Sequence, residues 1–113
     1  EYAKGNNVLL GGDFNHALYG TALAFPSEQV YPDWVQEMSD ADLPEHFHFV
    51  VSENGMEVPT CRGADIPYEK GVTYTTVVDG FFVSDNLEVT AENIDAEFAY
   101  SDHNPVKLTF TLK

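Results

Sequence analysis

The segment Tyr100-Ser101-Asp102-His103-Asn104-Pro105-Val106 sets a carboxylate, an imidazole and a carboxamide beside an apolar run. Carboxylate oxygen is a natural ligand for a hard divalent cation, so Asp102 is a candidate metal ligand. His103 titrates near neutrality and can take a proton from water or stabilise a phosphoryl oxygen. Neighbouring side chains seldom bond each other well, so the pair reads as two groups with separate tasks. The same Ser, Asp, Asn and Pro are also ordinary turn residues, and on this segment alone both readings stand.

Two other segments supply matching chemistry. In Gly11-Gly12-Asp13-Phe14-Asn15 a carboxylate and a carboxamide lie two positions apart, which in extended chain points both to one side; an Asx turn closing a strand is the plainer alternative. In Val77-Val78-Asp79-Gly80-Phe81-Phe82-Val83-Ser84 the Asp-Gly pair between apolar residues reads, on spacing alone, as a type I′ hairpin. The chemical alternative for Asp79 is a carboxylate that accepts a ring N–H of His103 and fixes its tautomer. All three segments border apolar strand-like runs, so their polar groups fall at strand ends, where sites are built.

Taken in this order, the three segments resemble the later part of the endonuclease/exonuclease/phosphatase superfamily, the DNase I-like phosphoesterases. The resemblance implies metal-dependent hydrolysis of a phosphate ester, most readily a phosphodiester. It implies that Asp13 contacts the attacking water or the departing oxygen, that Asn15 binds phosphate, that Asp79 pairs with the catalytic histidine His103, and that Asp102 is a metal ligand. Pro59-Thr60-Cys61-Arg62 is similar to segments of bacterial secreted-type members, in which Arg62 would clamp a phosphate oxygen through its forked donors; a surface loop arginine is the plain alternative.

The implied fold is an α/β (α+β) sandwich of the DNase I-like type. Residues 1–113 would form its C-terminal half, one mostly antiparallel sheet with one or two short helices. The family's early amide, metal-binding glutamate and second histidine lie upstream of the Gly-Asp-x-Asn segment, and only twelve residues precede Asp13. The expected partners are therefore a phosphate-ester substrate and the N-terminal half of the same domain, and the chain alone is expected to be inactive. Magnesium, or manganese or calcium, is the expected cofactor. Asp102 with one or two neighbours offers few oxygen ligands, so binding should be weak, on the order of millimolar.

The elements that must hold these residues follow from pattern. Val8-Leu9-Leu10 reads as a short buried strand ending at Asp13. A short helix is expected after it, with Pro32 in the first turn, Tyr31, Trp34, Val35 and Met38 on one face, and an end at Asp40 to Pro44. Phe47, Phe49 and Val51 alternate with His48 and Val50 as a strand, and a long loop is expected from Val58 to Gly71. Val72 to Val78 and Phe81 to Ser84 read as strand, and Leu87 to Thr90 as a short strand or loop. Val106, Leu108, Phe110 and Leu112 alternate strictly with polar residues, the clearest half-buried strand in the chain.

Composition bounds the rest. The chain has room for one small domain, and 43% hydrophobic content with 13% aromatic excludes a disordered polymer even at a net charge of −14. Five basic against nineteen acidic residues repel a nucleic-acid backbone, so nucleic acid is a possible substrate that the charge does not support. One cysteine, Cys61, permits neither an internal disulfide nor a cysteine-based zinc site. His46 and His48 flank Phe47 on one face without an obvious third ligand, and His16 is at most a pocket neighbour. Asp85, Glu88, Glu92, Asp95 and Glu97 lack EF-hand spacing and read as a solvated face. No segment is long and apolar enough to span a bilayer, and the sequence does not choose between a cytoplasmic and a bacterial secreted location. A reading from another class is an acidic, non-catalytic interaction domain that keeps the same segments as turns.

Overall fold

Strand alternation builds the centre of the molecule. The computed structural model describes residues 7–29, 35–99 and 101–112. It is mostly sheet, in nine short strands: β1 Leu9–Asp13, β2 Ala17–Leu18, β3 Glu37–Met38, β4 Phe47–Phe49, β5 Cys61–Arg62, β6 Thr75–Thr76, β7 Asp79–Ser84, β8 Leu87–Asn93 and β9 Val106–Leu112. The helix in the described residues is a single 3-10 turn, Asp40–Asp42. Among these residues no helix is long and apolar enough to cross a membrane.

β7 is the central strand. It pairs antiparallel with β1 on one side and β4 on the other. Successive side chains of a strand point to opposite faces, and β7 buries apolar groups on both. Phe81 and Val83 pack with Val50, Leu87, Ala91, Val106 and Leu108, which places the β8–β9 ribbon over that face. Phe82 enters the other cluster with Leu18, Phe49, Val77 and Phe14. There the rings of Phe14 and Phe49 meet edge to face at 5.4 Å, and those of Phe49 and Phe82 at 6.0 Å, a geometry that matches ring edges to ring faces. The Phe81 ring lies directly over Gly11 of β1, where a side chain would collide with it.

Several sequence expectations need correction. The described residues form not one sheet but a three-stranded sheet and three two-stranded pairs, of which β2–β3 is parallel. The expected helix fails where it is described: Val35 is buried against Ala17, Ala22 and Tyr74, and Glu37–Met38 pairs with Ala17–Leu18. The apolar spacing there serves a strand, because backbone pairing with β2 overrides a weak local pattern. Tyr31, Pro32 and Trp34 lie outside the described residues. β1 was expected to be buried, yet all five of its residues are exposed, including Leu9 at 38% and Leu10 at 45%. β9 forms as expected, with Val106 and Leu108 against the core, but Phe110 runs past it and is 54% exposed.

Exposed Leu9, Leu10 and Phe110 favour association, since burying apolar surface gains roughly 25 cal/mol per Å², while the −14 charge opposes it through a repulsion that salt screens. The expected outcome is a dimer that grows with ionic strength. Light scattering that finds a monomer at high salt would contradict it.

Candidate functional site

The end of β1, the start of β7 and the connection between β8 and β9 converge at one end of the central sheet. Asp13 and Asp79 are directly opposite in the β1–β7 register, so their side chains share a face. The strand runs through Asp79-Gly80, which corrects the hairpin reading from spacing. What keeps this stretch extended is the buried hydroxyl of Thr60, which accepts the Val78 N–H at 3.1 Å and the Asp79 N–H at 3.2 Å.

At Asp13 the chain turns. The Asn15 N–H donates to Asp13 Oδ1 at 2.8 Å, and Asn15 has a φ of 53°, a left-handed conformation that asparagine tolerates better than most residues. The extended geometry expected for Asp13-Phe14-Asn15 is thus replaced by an Asx turn. Both residues nevertheless line one cleft of about 370 Å³, together with Arg62, Asp102 and His103.

His103 reaches the sheet by backbone pairing. Cys61 and His103 form an antiparallel bridge, the Arg62 N–H donates to Asp102 O at 3.0 Å, and the Asn104 N–H donates to Thr60 O at 2.7 Å. The buried Asn104 side chain completes the clamp, donating to Pro59 O at 2.9 Å and accepting the Phe98 N–H at 3.2 Å. His103 Nδ1 then lies 2.7 Å from Asp79 Oδ2. An ionised carboxylate only accepts, so Nδ1 carries the proton and a neutral ring presents its lone pair at Nε2. Nε2 stands 3.7 Å from Asp13 Oδ2 and 4.0 Å from Asp102 Oδ1, both too long for hydrogen bonds.

The electrostatics follow from this placement. Burial works to lower the His103 pKa, but the hydrogen bond and charge of Asp79, helped by Asp13 and Asp102, outweigh it and raise the ring above its usual 6.5. Burial pushes the Asp79 carboxyl up, against the pull of His103 and Thr60. Cys61 Sγ lies 3.8 Å from His103 Nε2. Burial first, then the charges of Asp79, Asp102 and Asp13, push its thiol up to about 12.

The remaining candidates are less fully engaged. Asp102 is exposed at the cleft edge. Arg62, the only arginine of the chain, is half buried, and its Nη1 donates to Gly63 O at 3.0 Å and Ile66 O at 3.4 Å, so part of the fork is spent on its own loop. His16 bonds the Phe14 carbonyl at 2.9 Å and serves the turn. The acidic residues Asp85, Glu88, Glu92, Asp95 and Glu97 are exposed as expected, but Asp85 also meets His48 at 2.7 Å, a partner the sequence did not suggest. Thr60, Asn104 and Gln29, which also lines the cleft, were not read as site residues; only the resemblance drew notice to the segment holding Thr60. Asp13, Asp79 and His103 each bring one ligand-type atom within 4.8 Å of the others.

No family model, curated protein or solved structure matches this chain.

Two outcomes are expected. Thr60→Val keeps the volume but leaves two buried N–H groups without an acceptor, and should cost about 1–3 kcal/mol in a urea melt; unchanged stability would show that Thr60 is not the support described. An NMR titration of the His103 ring should give a midpoint above 6.5 that falls in Asp79→Asn, because the main raising cause is gone. With the folded pKa above the unfolded one, the stability owed to His103 is fully present below pH 6.5 and is lost as pH rises through the folded midpoint. A midpoint that does not move in Asp79→Asn would mean that the pair is not coupled.

Proposed function

We propose that this site serves metal-assisted hydrolysis of a phosphate ester, most simply a phosphodiester, in the manner of the DNase I-like phosphoesterases that the sequence resembles. The observation that carries the reading is the 2.7 Å Asp79–His103 bond, with Nε2 left facing a cleft that also holds Asp13, Asn15, Arg62 and Asp102. A histidine oriented by a carboxylate at one nitrogen, with only a weak thiol contact at 3.8 Å on the other, is poised to move a proton.

The donor set suits a hard cation. Magnesium commonly takes one or two carboxylates and completes its sphere with water and substrate phosphate, and the exposed Asp13 and Asp102 can supply those carboxylates. When bound, such an ion neutralises charge on the phosphoryl group. The residues of the chain divide the remaining tasks. His103 Nε2 accepts the proton of the attacking water while Asp79 holds the ring in the right tautomer and stabilises the charge it gains. Asp13, locked by its turn, orients the water or the departing oxygen. The Asn15 amide and the free donors of Arg62 hold phosphate oxygens. A complementary N-terminal half of the domain, seated against exposed β1, would bring the further ligands that the resemblance implies.

Cys61, His103 and Asp79 also line up in the order of a cysteine-nucleophile triad. Two observations weigh against it: the thiol is buried, and three carboxylates hold it protonated at neutral pH, whereas the thiolate is the nucleophile. An acidic interaction domain explains the turns at Asp13 and Ser101, but it gives no reason for Asp79 and His103 to meet.

The test is turnover of bis-p-nitrophenyl phosphate with magnesium or manganese, by the chain alone and by the chain joined to its complementary half. Activity is expected in the joined protein. His103→Ala should remove about 10²–10⁴-fold of it with an unchanged melting temperature, and Asp79→Asn should cost less. Full turnover by a folded His103→Ala variant would defeat the proposal.

A further inference from the structure

A second set of ligand-type side chains lies at the opposite end of β7. His48 lies in β4, and His46 stands two residues before it, in the left-handed turn (φ 70°) that precedes the strand. Across the pair, the Asp85 N–H donates to His46 O at 2.9 Å, which sets Asp85 directly opposite His46 and diagonal to His48. Opposite and diagonal positions are the ones whose side chains meet across a sheet, and here they do. His48 Nδ1 is 2.7 Å from Asp85 Oδ1, and His46 Nδ1 is 4.0 Å from Asp85 Oδ2.

We propose that His46, His48 and Asp85 form a surface site for a divalent transition cation such as zinc, nickel or copper. Imidazole suits these ions, and two imidazoles with one carboxylate supply the nitrogen and oxygen ligands that zinc accepts. Magnesium fits poorly, since it prefers a sphere of oxygens. The third ligand that the His-Phe-His spacing lacked in the sequence is supplied by register, from a residue far along the chain. The ligand atoms are not yet gathered round a point, and the site closes by rotation of His46, whose side chain is 80% exposed and so has room to turn. One carboxylate spanning two histidines lets a bound ion tie edge strand β4 to central strand β7.

This site is separate from the His103 cluster. Six residues of extended chain divide Asp79 from Asp85, about 20 Å at roughly 3.3 Å per residue, so neither cluster can borrow ligands from the other. Its occupant is also different in kind, a borderline cation held by nitrogen.

The experiment is nickel or copper titration of the ¹⁵N-labelled chain, read by paramagnetic broadening, with a zinc thermal-shift series alongside. Broadening should centre on His46, His48 and Asp85 and persist in His103→Ala, which removes the imidazole at the other end of β7. It should weaken at least about tenfold in affinity in His46→Ala, His48→Ala and Asp85→Asn, since losing a direct ligand costs no less than losing an outer partner. Zinc should raise the melting temperature of the wild type and not that of the His46→Ala/His48→Ala double variant. Broadening confined to the surroundings of His103, or equal at the two ends of β7 in the double variant, would overturn the assignment. Because His46 and His48 are exposed, their loss leaves the core intact, and the His103→Ala background keeps the result independent of any phosphoesterase activity.

Discussion

Two carboxylates stand directly opposite each other across β1 and β7, and that is the constraint around which this end of the molecule is organised. Asp13 and Asp79 are register partners, and like charges at opposed positions of a sheet repel. The fold gives each an answer. Asp13 uses Oδ1 to accept the Asn15 N–H and turns Oδ2 towards His103. Asp79 is met by His103 Nδ1 at 2.7 Å, and its backbone N–H donates to the Thr60 hydroxyl oxygen. The imidazole thus sits between two negative groups, and a cation beside Asp13 and Asp102 would relieve what charge remains.

His103 holds its place because short segments far apart in sequence pair with each other. Residues 60–62 and 102–104 exchange two backbone hydrogen bonds across the Cys61–His103 bridge, and Asn104 closes them with two side-chain bonds. None of these segments is long enough to be stable alone. Thr60 joins them to β7, accepting two β7-side N–H groups while its carbonyl accepts from Asn104. One buried hydroxyl therefore fixes the separation between the carboxylate and the imidazole it orients.

The site was legible in the sequence to the extent that chemistry is local and illegible where register decides. Asp13, Asp79, Asp102 and His103 could be nominated from residue type and strand-end position, and they do gather at one end of the sheet. That Asp79-Gly80 is strand was not readable from its spacing, because the groups that hold it extended are Thr60 and β1, far away in sequence. The same holds for Asp85, paired with His48 through β4–β7 register. Strict alternation located β9, since period two survives any tertiary context in which one face is buried. The helix expected around Pro32 to Met38 failed for the converse reason: a few apolar residues at helical spacing are a weak local preference, and pairing with β2 outweighed it. Burial of β1 was misjudged because a run of Val and Leu states only that a residue is apolar, not which surface will cover it.

The charge balance makes sense of how these groups share the work. With nineteen acidic residues and one arginine, the chain has little positive charge of its own to offer a phosphate. Arg62 is in the cleft, but part of its fork is bound to its own loop. The acidic surroundings that suppress the Cys61 thiolate would, under the proposed function, also draw a dication towards Asp13 and Asp102. A phosphate ester approaching this cleft would meet net repulsion until that dication is in place. Under the proposed function the ion would be more than a ligand for the transferring group: it would offset most of the cleft's negative charge, and substrate binding would depend on it. Electrostatics of this kind tie the two events together through the same carboxylates, so affinity for metal and affinity for phosphate should rise and fall as one.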